Sequence, residues 1–347
     1  MEESGHYYTV YITSLAVGFD NDIASRQALI AQLPDEVGWT DAANMHIDQC
    51  ASEPAGYGAA VALFLAGGLV GIALGSSLRK SAREYFYEYD FAATKRKVPA
   101  AWRYEIEYAL HSLKDNGGQK VSSKHQRDIT RTLLLKNAPD SLEFGLLLHR
   151  LGDTYAHSMM SDPSVMYTTT ASEGFTKCIS IESLGHARDM HDPDYPYLRK
   201  GLFFEYLGDL YRILKQKFDE TSYACKIKSK VMTLDELSSV FKDIFKNLAT
   251  TITVPMHTTF GIAGPIFMPE RKYNLDPEVI IANFIAAIRK NCYNKLGITM
   301  NPYAPEKIEK QTLPEFLNDH PELRKIIDRE KLTNGINSIY SALSKID

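Results

Sequence analysis

The sequence predicts an all-α fold, and three observations carry that expectation. Apolar residues recur at helical spacing in successive segments of the 347-residue chain. Those segments are bounded by helix punctuation at Pro34, at Asn116-Gly117-Gly118 and at Pro139-Asp140-Ser141. With 44% hydrophobic against 24% charged residues, the chain has the apolar content for one large core or two modest ones, and disorder is not the expectation.

The elements follow in order. From His6 to Phe19 the residues Tyr7, Val10, Tyr11, Ser14 and Leu15 keep a helical period; a second helix is expected over Asp22–Leu33, ended by Pro34. An uncharged stretch runs from Pro54 to Leu78, with Gly67, Gly71 and Gly75 four apart. The charged and aromatic section Arg79–Asn116 reads as one or two amphipathic helices, and helical patterns return over Lys124–Asn137 and Leu142–Met160. Ser161–Ser180 reads as a loop. Further helices are expected over Leu198–Phe218 and Asp235–Leu248, then a long loop or boundary between Thr250 and Tyr273, broken by Pro255, Gly261, Gly264, Pro265 and Pro269. Asn274–Asp347 again looks helical.

Charge and cysteine usage exclude several functions. The 39 basic and 43 acidic side chains give a formal net charge of -4, which offers no broad basic field for a nucleic-acid backbone. Cys50, Cys178, Cys225 and Cys292 form neither a CxxC pair nor a dense framework, so they read as buried thiols. No signal-peptide pattern opens the chain; synthesis in a cytoplasm is expected, with secretion by a signal-peptide-independent route left open.

Chemistry concentrates in Leu148-His149-Arg150-Leu151-Gly152-Asp153-Thr154-Tyr155-Ala156-His157. On a helix, steps of four residues turn roughly 40° each, so His149, Asp153 and His157 share one face, among the core-facing Leu146, Tyr155 and Ala156. Two imidazoles and a carboxylate aimed into an apolar interior need compensation. A divalent metal supplies it, because His nitrogen and Asp oxygen are ordinary zinc ligands. The alternative is a pair of hydrogen-bonded core histidines with Asp153 as their acceptor. A second cluster, His186, Asp189, His191, Asp192 and Asp194, lies on a segment broken by Pro193 and Pro196, which can wrap a metal; Asp192 reads as a solvated turn residue.

The stretch His149-x-x-Gly-Asp-x-x-Ala-His157 with the later Gly-His186-x-x-Asp-x-His-x-Pro-Asp194 resembles the zinc-dependent phospholipase C and S1/P1 nuclease superfamily, closest to its poorly characterised bacterial branch. His6-Tyr7-Tyr8 and Ala31-Gln32-Leu33-Pro34-Asp35 are similar to that branch's opening helices. The resemblance, covering roughly residues 6–215, implies an all-α, metal-centred core with two or three zinc ions around a bridging aspartate. It implies Asp153 as that bridge, His149 on the first metal, and His157 and His186 on the second. It implies His6 as the early histidine and Asp35 as the early aspartate, with Asp41 a competitor. The following histidine is His111 or His46, with His111 favoured. Two departures stand out: residues precede His6, so no terminal amine ligates, and no His-x-x-x-Glu or His-x-x-x-Asp follows His186. The third ligand of that metal is therefore open among Asp189, His191 and Asp194.

The resemblance implies hydrolysis of a phosphoester, with Asp35 or Asp41 orienting or deprotonating the attacking water beside Asp153. Phospholipid is favoured over nucleic acid, on the apolar segment and the acidic net charge. A secreted bacterial toxin fits such an enzyme, and a toxin would bring an inhibitor or chaperone protein as partner. The expected organisation is a hydrolase core over residues 1–225 and a helical C-terminal extension over 226–347.

The stretch 54–78 is long enough to span a bilayer, since about 20 apolar residues suffice. Arg79, Lys80 and Arg83 follow it as flanking charges often do. A single crossing, however, would separate His6, Asp35 and Asp41 from His149, His157 and His186, so a buried or interfacial helix touching a membrane surface is the expectation. The rival from another class is a membrane-associated or interaction protein with a structural or vestigial metal site. Gly71-Ile-Ala-Leu-Gly75 is not a nucleophile elbow, and the isolated His257 and His320 read as ordinary surface or core residues.

Overall fold

The computed structural model describes residues 4–40, 100–114, 119–168, 192–220, 231–247, the strand residues within 252–273, positions 286, 290 and 296, and residues 311–346. The described residues are predominantly helical. A π-helical turn, Ser4–Tyr8, leads into α1 (Thr9–Val17), followed by α2 (Asn21–Glu36), α3 (Ala100–Ala109), α4 (Ser123–Lys136) and α5 (Leu142–Ala156). Short 3-10 turns at Asp192–Asp194 and Pro196–Leu198 precede α6 (Lys200–Glu220) and α7 (Leu234–Asn247). After four strands come α8 (Leu313–Asp319) and α9 (Arg329–Ile346).

Helix α5 is the axis of the fold. Every residue from Phe144 to Ala156 is buried, because α2, α4, α6 and α9 all pack around it. Its start is fixed by Ser141, whose hydroxyl accepts from the Phe144 N–H at 3.2 Å. Gly145 lets α2 approach: a Cβ there would stand 2.5 Å from Ile30 Cβ, inside contact distance. Asp20 caps α2 through the Ile23 N–H, and Gly18 ends α1 in the left-handed region at φ 115°.

Three expectations about elements are corrected. Pro34 does not end α2, which continues to Glu36; so near the C-terminus proline sacrifices a single backbone donor, and Val37 N–H still reaches Leu33 O at 3.0 Å. Helix α5 stops at Ala156 rather than Met160, with His157 as its C-cap. Arg199 closes that end, its guanidinium donating to Ala156 O at 2.6 Å and Ser158 O at 2.7 Å, where a cation also suits the helix dipole. The expected loop over 250–273 contains antiparallel ladders instead: β1 (Ile252–Thr253) pairs β4 (Lys272–Tyr273), and β2 (Met256–Gly261) pairs β3 (Gly264–Pro269). Glycine and proline there punctuate a hairpin rather than dissolve structure.

The C-terminal helices join the same core. Leu313, Phe316, Leu332, Ile336 and Leu343 belong to one buried cluster with Leu146 and Leu148. α9 lies against α3 and α5, where Gly335 brings it close to Leu142. Ahead of α8, which opens with a Thr312/Glu315 capping box, Gln311 forms a parallel bridge with Val37. Gln311 N–H donates to Glu36 O at 2.8 Å and Gly38 N–H to Gln311 O at 3.1 Å. Among the described residues, no helix is long and apolar enough to cross a membrane; the segment 54–78 lies outside them.

Candidate metal centre

Five residues from four separate segments of the chain meet on the inner face of α5. His6 comes from the π-helical turn, Asp35 from the last turn of α2, His111 from the turn after α3, and His149 and Asp153 from α5 itself, one helical turn apart. Their burial is severe: His6 and His149 are 0% exposed and Asp153 1%. Asp35, with its side chain 24% exposed, is the most open of the five.

The hydrogen bonds of the histidines define which ring nitrogen faces inward, because a carbonyl only accepts. His149 Nδ1–H donates to Ala31 O at 2.7 Å, so Nε2 carries the lone pair. His111 Nε2–H donates to Thr40 O at 2.7 Å, so Nδ1 carries it. His157 Nδ1–H donates to His111 O at 2.6 Å, which leaves its Nε2 with the lone pair. Carbonyl partners that fix tautomer and ring orientation in this way are the usual outer support of metal-ligating histidines.

With both rings neutral, the consequence is a knot of acceptors around Asp153. His111 Nδ1 and His149 Nε2 stand 3.2 Å apart, and they lie 3.1 Å and 3.2 Å from Asp153 Oδ2. Two lone pairs and an anion at such distances repel unless a proton or a metal ion sits between them. Ligands about 2.1 Å from a tetrahedral ion stand about 3.4 Å from one another, which these separations approach. His111, His149 and Asp153 thus form one buried group able to hold a metal ion, and His6, Asp35 and His149 form a second.

His149 belongs to both groups, and the Asp153 carboxylate reaches across them. Asp153 Oδ1 is 3.0 Å from His6 Nε2 while its Oδ2 faces His111 and His149. Asp35 Oδ2 lies 3.6 Å from His6 Nε2 and its Oδ1 3.7 Å from His149 Nε2. The imidazoles of His6 and His149 stack with ring centroids 3.9 Å apart.

Electrostatics follow from this crowding. Burial, reinforced by the neighbouring His149, pushes the His6 imidazole down to about 3, so it is neutral. Burial also opposes protonation of His111, but its hydrogen bond to Asp153 and that carboxylate's charge prevail and raise it to about 9. Asp153 is held well below the usual carboxylate range: burial acts against ionisation, and the surrounding imidazoles outweigh it. Asp35 is lowered for the same reasons. In metal-free protein, a proton on His111 therefore takes the place a cation would otherwise fill.

Two further features support the geometry. Gly152 permits His6 to lie against α5, since a Cβ there would meet His6 Cε1 at 2.8 Å. Arg150, fully buried, ties α5 to α4 and α3: it donates to Gln126 Oε1 at 2.6 Å, to Thr130 Oγ1 at 3.0 Å and to Tyr108 O. Tyr108 precedes the turn bearing His111, where Ser112 adopts the left-handed region at φ 58°. Outside glycine that conformation costs on the order of 1 kcal/mol, a strain typical of functional sites. Here it accompanies a tight turn in which both His111 N–H and Leu113 N–H reach Glu107 O.

Of the residues singled out by sequence, the structure brings together His6, Asp35, His111, His149 and Asp153. His157 borders them with its Nδ1 3.8 Å from Asp153 Oδ2, engaged on the His111 carbonyl. Asp194, 9% exposed on its 3-10 turn, belongs to neither donor group. Asp41, His46, His186, Asp189 and His191 lie outside the described residues. His320 is a core residue at 8% exposure, packed on Phe316. The sequence reading missed Arg150 and the carbonyls of Ala31, Thr40 and His111. Only Arg150 left a signal, as a charge within an otherwise apolar helix face.

Comparison of the chain with protein-family models, with curated proteins and with solved structures gives no match.

Proposed function

We propose that this protein is a metal-dependent phosphoester hydrolase whose centre holds zinc between His6, Asp35, His111, His149 and Asp153. The observation that carries the proposal is the convergence of two ring nitrogens, each on an imidazole anchored from behind by a carbonyl, on Asp153 Oδ2 within 3.1–3.2 Å. A nitrogen lone pair serves one ion, whereas a carboxylate can bridge two. The donors thus suit one ion at His111 and His149, with His6 left to a second beside Asp153 Oδ1 and Asp35 Oδ2.

Bound zinc would supply Lewis acidity and a water of lowered pKa. The chain's own residues supply the rest. Asp35 stands at the exposed edge of an otherwise closed cluster, where its carboxylate can orient an entering water and accept its proton. His6 is neutral at neutral pH, and the carbonyls of Thr40 and Ala31 keep His111 Nδ1 and His149 Nε2 directed inward. The likeness to the phospholipase C and S1/P1 nuclease superfamily favours a phosphodiester. The apolar stretch 54–78 and the net charge of -4 favour a phospholipid over a nucleic acid.

The near-complete burial of His6, His149 and Asp153 favours a second reading, a closed structural metal site in an interaction protein. Zinc-loaded protein assayed on bis(4-nitrophenyl) phosphate, phosphatidylcholine and single-stranded nucleic acid separates the two. Hydrolysis lost on chelation and restored by zinc supports the enzyme. Stoichiometric zinc without hydrolysis of any of these, and without an exchangeable water on the metal, supports the structural site.

A further inference from the structure

We propose that the C-terminal segment 311–346 is a positioning element of the metal-binding cluster, acting through the Gln311 main chain and the Tyr340 side chain. The inference rests on the metal-centre reading above and assigns a role to a part of the chain that contributes no ligand.

Two independent contacts carry it. The first is the parallel bridge at Gln311, whose N–H and carbonyl engage Glu36 O at 2.8 Å and Gly38 N–H at 3.1 Å. That grip falls on the short stretch between Asp35 and Thr40. Asp35 places its carboxylate 3.6 Å from His6 Nε2 and 3.7 Å from His149 Nε2, and the Thr40 carbonyl fixes the His111 tautomer at 2.7 Å. Within the stretch, Thr40 N–H and its hydroxyl both donate to Val37 O, at 2.9 Å and 2.8 Å, so a displacement at Val37 is passed directly to Thr40. The second contact is at the far end of the segment. Tyr340 of α9 packs edge-on against Tyr108, ring centroids 6.2 Å apart, and Tyr108 adjoins the turn that carries His111. His111 is thereby braced from both sides, through the acceptor of its Nε2–H and through the helix that delivers it.

Outer partners that orient metal-ligating histidines typically contribute 10–100-fold in metal affinity when lost. Gln311→Pro in the full chain removes the N–H given to Glu36, whereas Gln311→Ala keeps both main-chain bonds and loses only a side-chain contact to Asp319. Zinc affinity is measured by chelator competition, at a temperature where circular dichroism shows wild-type helix content. The expected result is an affinity about 10–100-fold weaker for Gln311→Pro, a smaller loss for Tyr340→Ala, and wild-type affinity for Gln311→Ala. A merely structural role would lower the unfolding temperature and leave the affinity of the folded protein unchanged. Amide hydrogen exchange on the wild type needs no variant to fold: by linkage, zinc should slow the Gln311 and Gly38 amides beyond the slowing seen in α7. A folded Gln311→Pro with wild-type zinc affinity, or Gln311 and Gly38 amides indifferent to zinc, overturns the inference alone. A wild-type protein that binds no zinc overturns the function proposed above, and this inference with it.

Discussion

Adding one methyl group at Gly152 tests how tightly the first turn is docked against α5. The added Cβ would lie 2.8 Å from His6 Cε1 and 3.0 Å from His6 Nδ1, closer than real Cβ contacts allow. His6 has little room to retreat, since it is 0% exposed and its other face stacks on His149 at 3.9 Å. Alanine in a helix interior is worth about 1 kcal/mol over glycine, while overpacking a buried site costs about 1–3 kcal/mol. Steric cost should win, giving Gly152→Ala a net loss of about 0–2 kcal/mol and, through displacement of His6, a zinc affinity about 10–100-fold weaker. Gly201→Ala is the control: nothing stands within 4 Å of its added Cβ, so propensity alone acts and a gain of up to about 1 kcal/mol is expected. Denaturant unfolding of metal-free protein and chelator competition give both quantities. Gly152→Ala as stable as Gly201→Ala, with undiminished zinc affinity, would refute the packing of His6 on α5.

Two other substitutions and a titration probe the acceptor knot itself. Asp153→Asn places an N–H₂ donor where two imidazole lone pairs converge, so metal-free protein should stay folded in thermal unfolding while zinc content falls to background. Asp194→Asn, outside both donor groups, should keep its zinc; equal loss in the two variants would contradict this organisation. Because His111 is raised to about 9 and His6 lowered to about 3, zinc binding at pH 7 should release about one proton, from His111, and almost none above pH 10. Calorimetry in buffers of different ionisation enthalpy reads that number directly, and pH-independent release would be the contrary result. The same shift gives the linkage of metal-free protein. The stability His111 contributes is complete below its unfolded value of 6.5 and is lost as pH rises through about 9. Melting temperature should decline over that window in metal-free protein, and zinc should suppress the decline.

What the sequence made legible was local. His149 and Asp153 are one turn apart on a strongly periodic helix, so their shared face could be read from spacing alone. His157 also falls on that side, its Nδ1 3.8 Å from Asp153 Oδ2, but α5 ends one residue before it and spacing could not show that its Nδ1 would engage the His111 carbonyl. His6, Asp35 and His111 entered through likeness to a motif, and no periodicity in the chain shows that residues 6 and 153 lie 3.0 Å apart. The carbonyls of Ala31, Thr40 and His111 were illegible in principle, since every residue carries one and only the tertiary fold selects which faces an imidazole. Pro34 misled because a proline near a helix end forfeits little, yet its accommodation is what keeps Asp35 on α2. Gly152 was visible as a glycine inside a helix, which signals a packing reason without naming the partner.

Calorimetric titration of chelator-stripped wild-type protein with zinc, checked by elemental analysis of the dialysed product, addresses the central claim most directly. If His6, Asp35, His111, His149 and Asp153 form a metal centre, at least one zinc ion should bind per chain and survive dialysis. Zinc should also raise the unfolding temperature, because it binds the folded state alone. Protein that retains no zinc, and whose unfolding temperature is indifferent to zinc and chelator alike, would show that a proton on His111 is all the cluster needs.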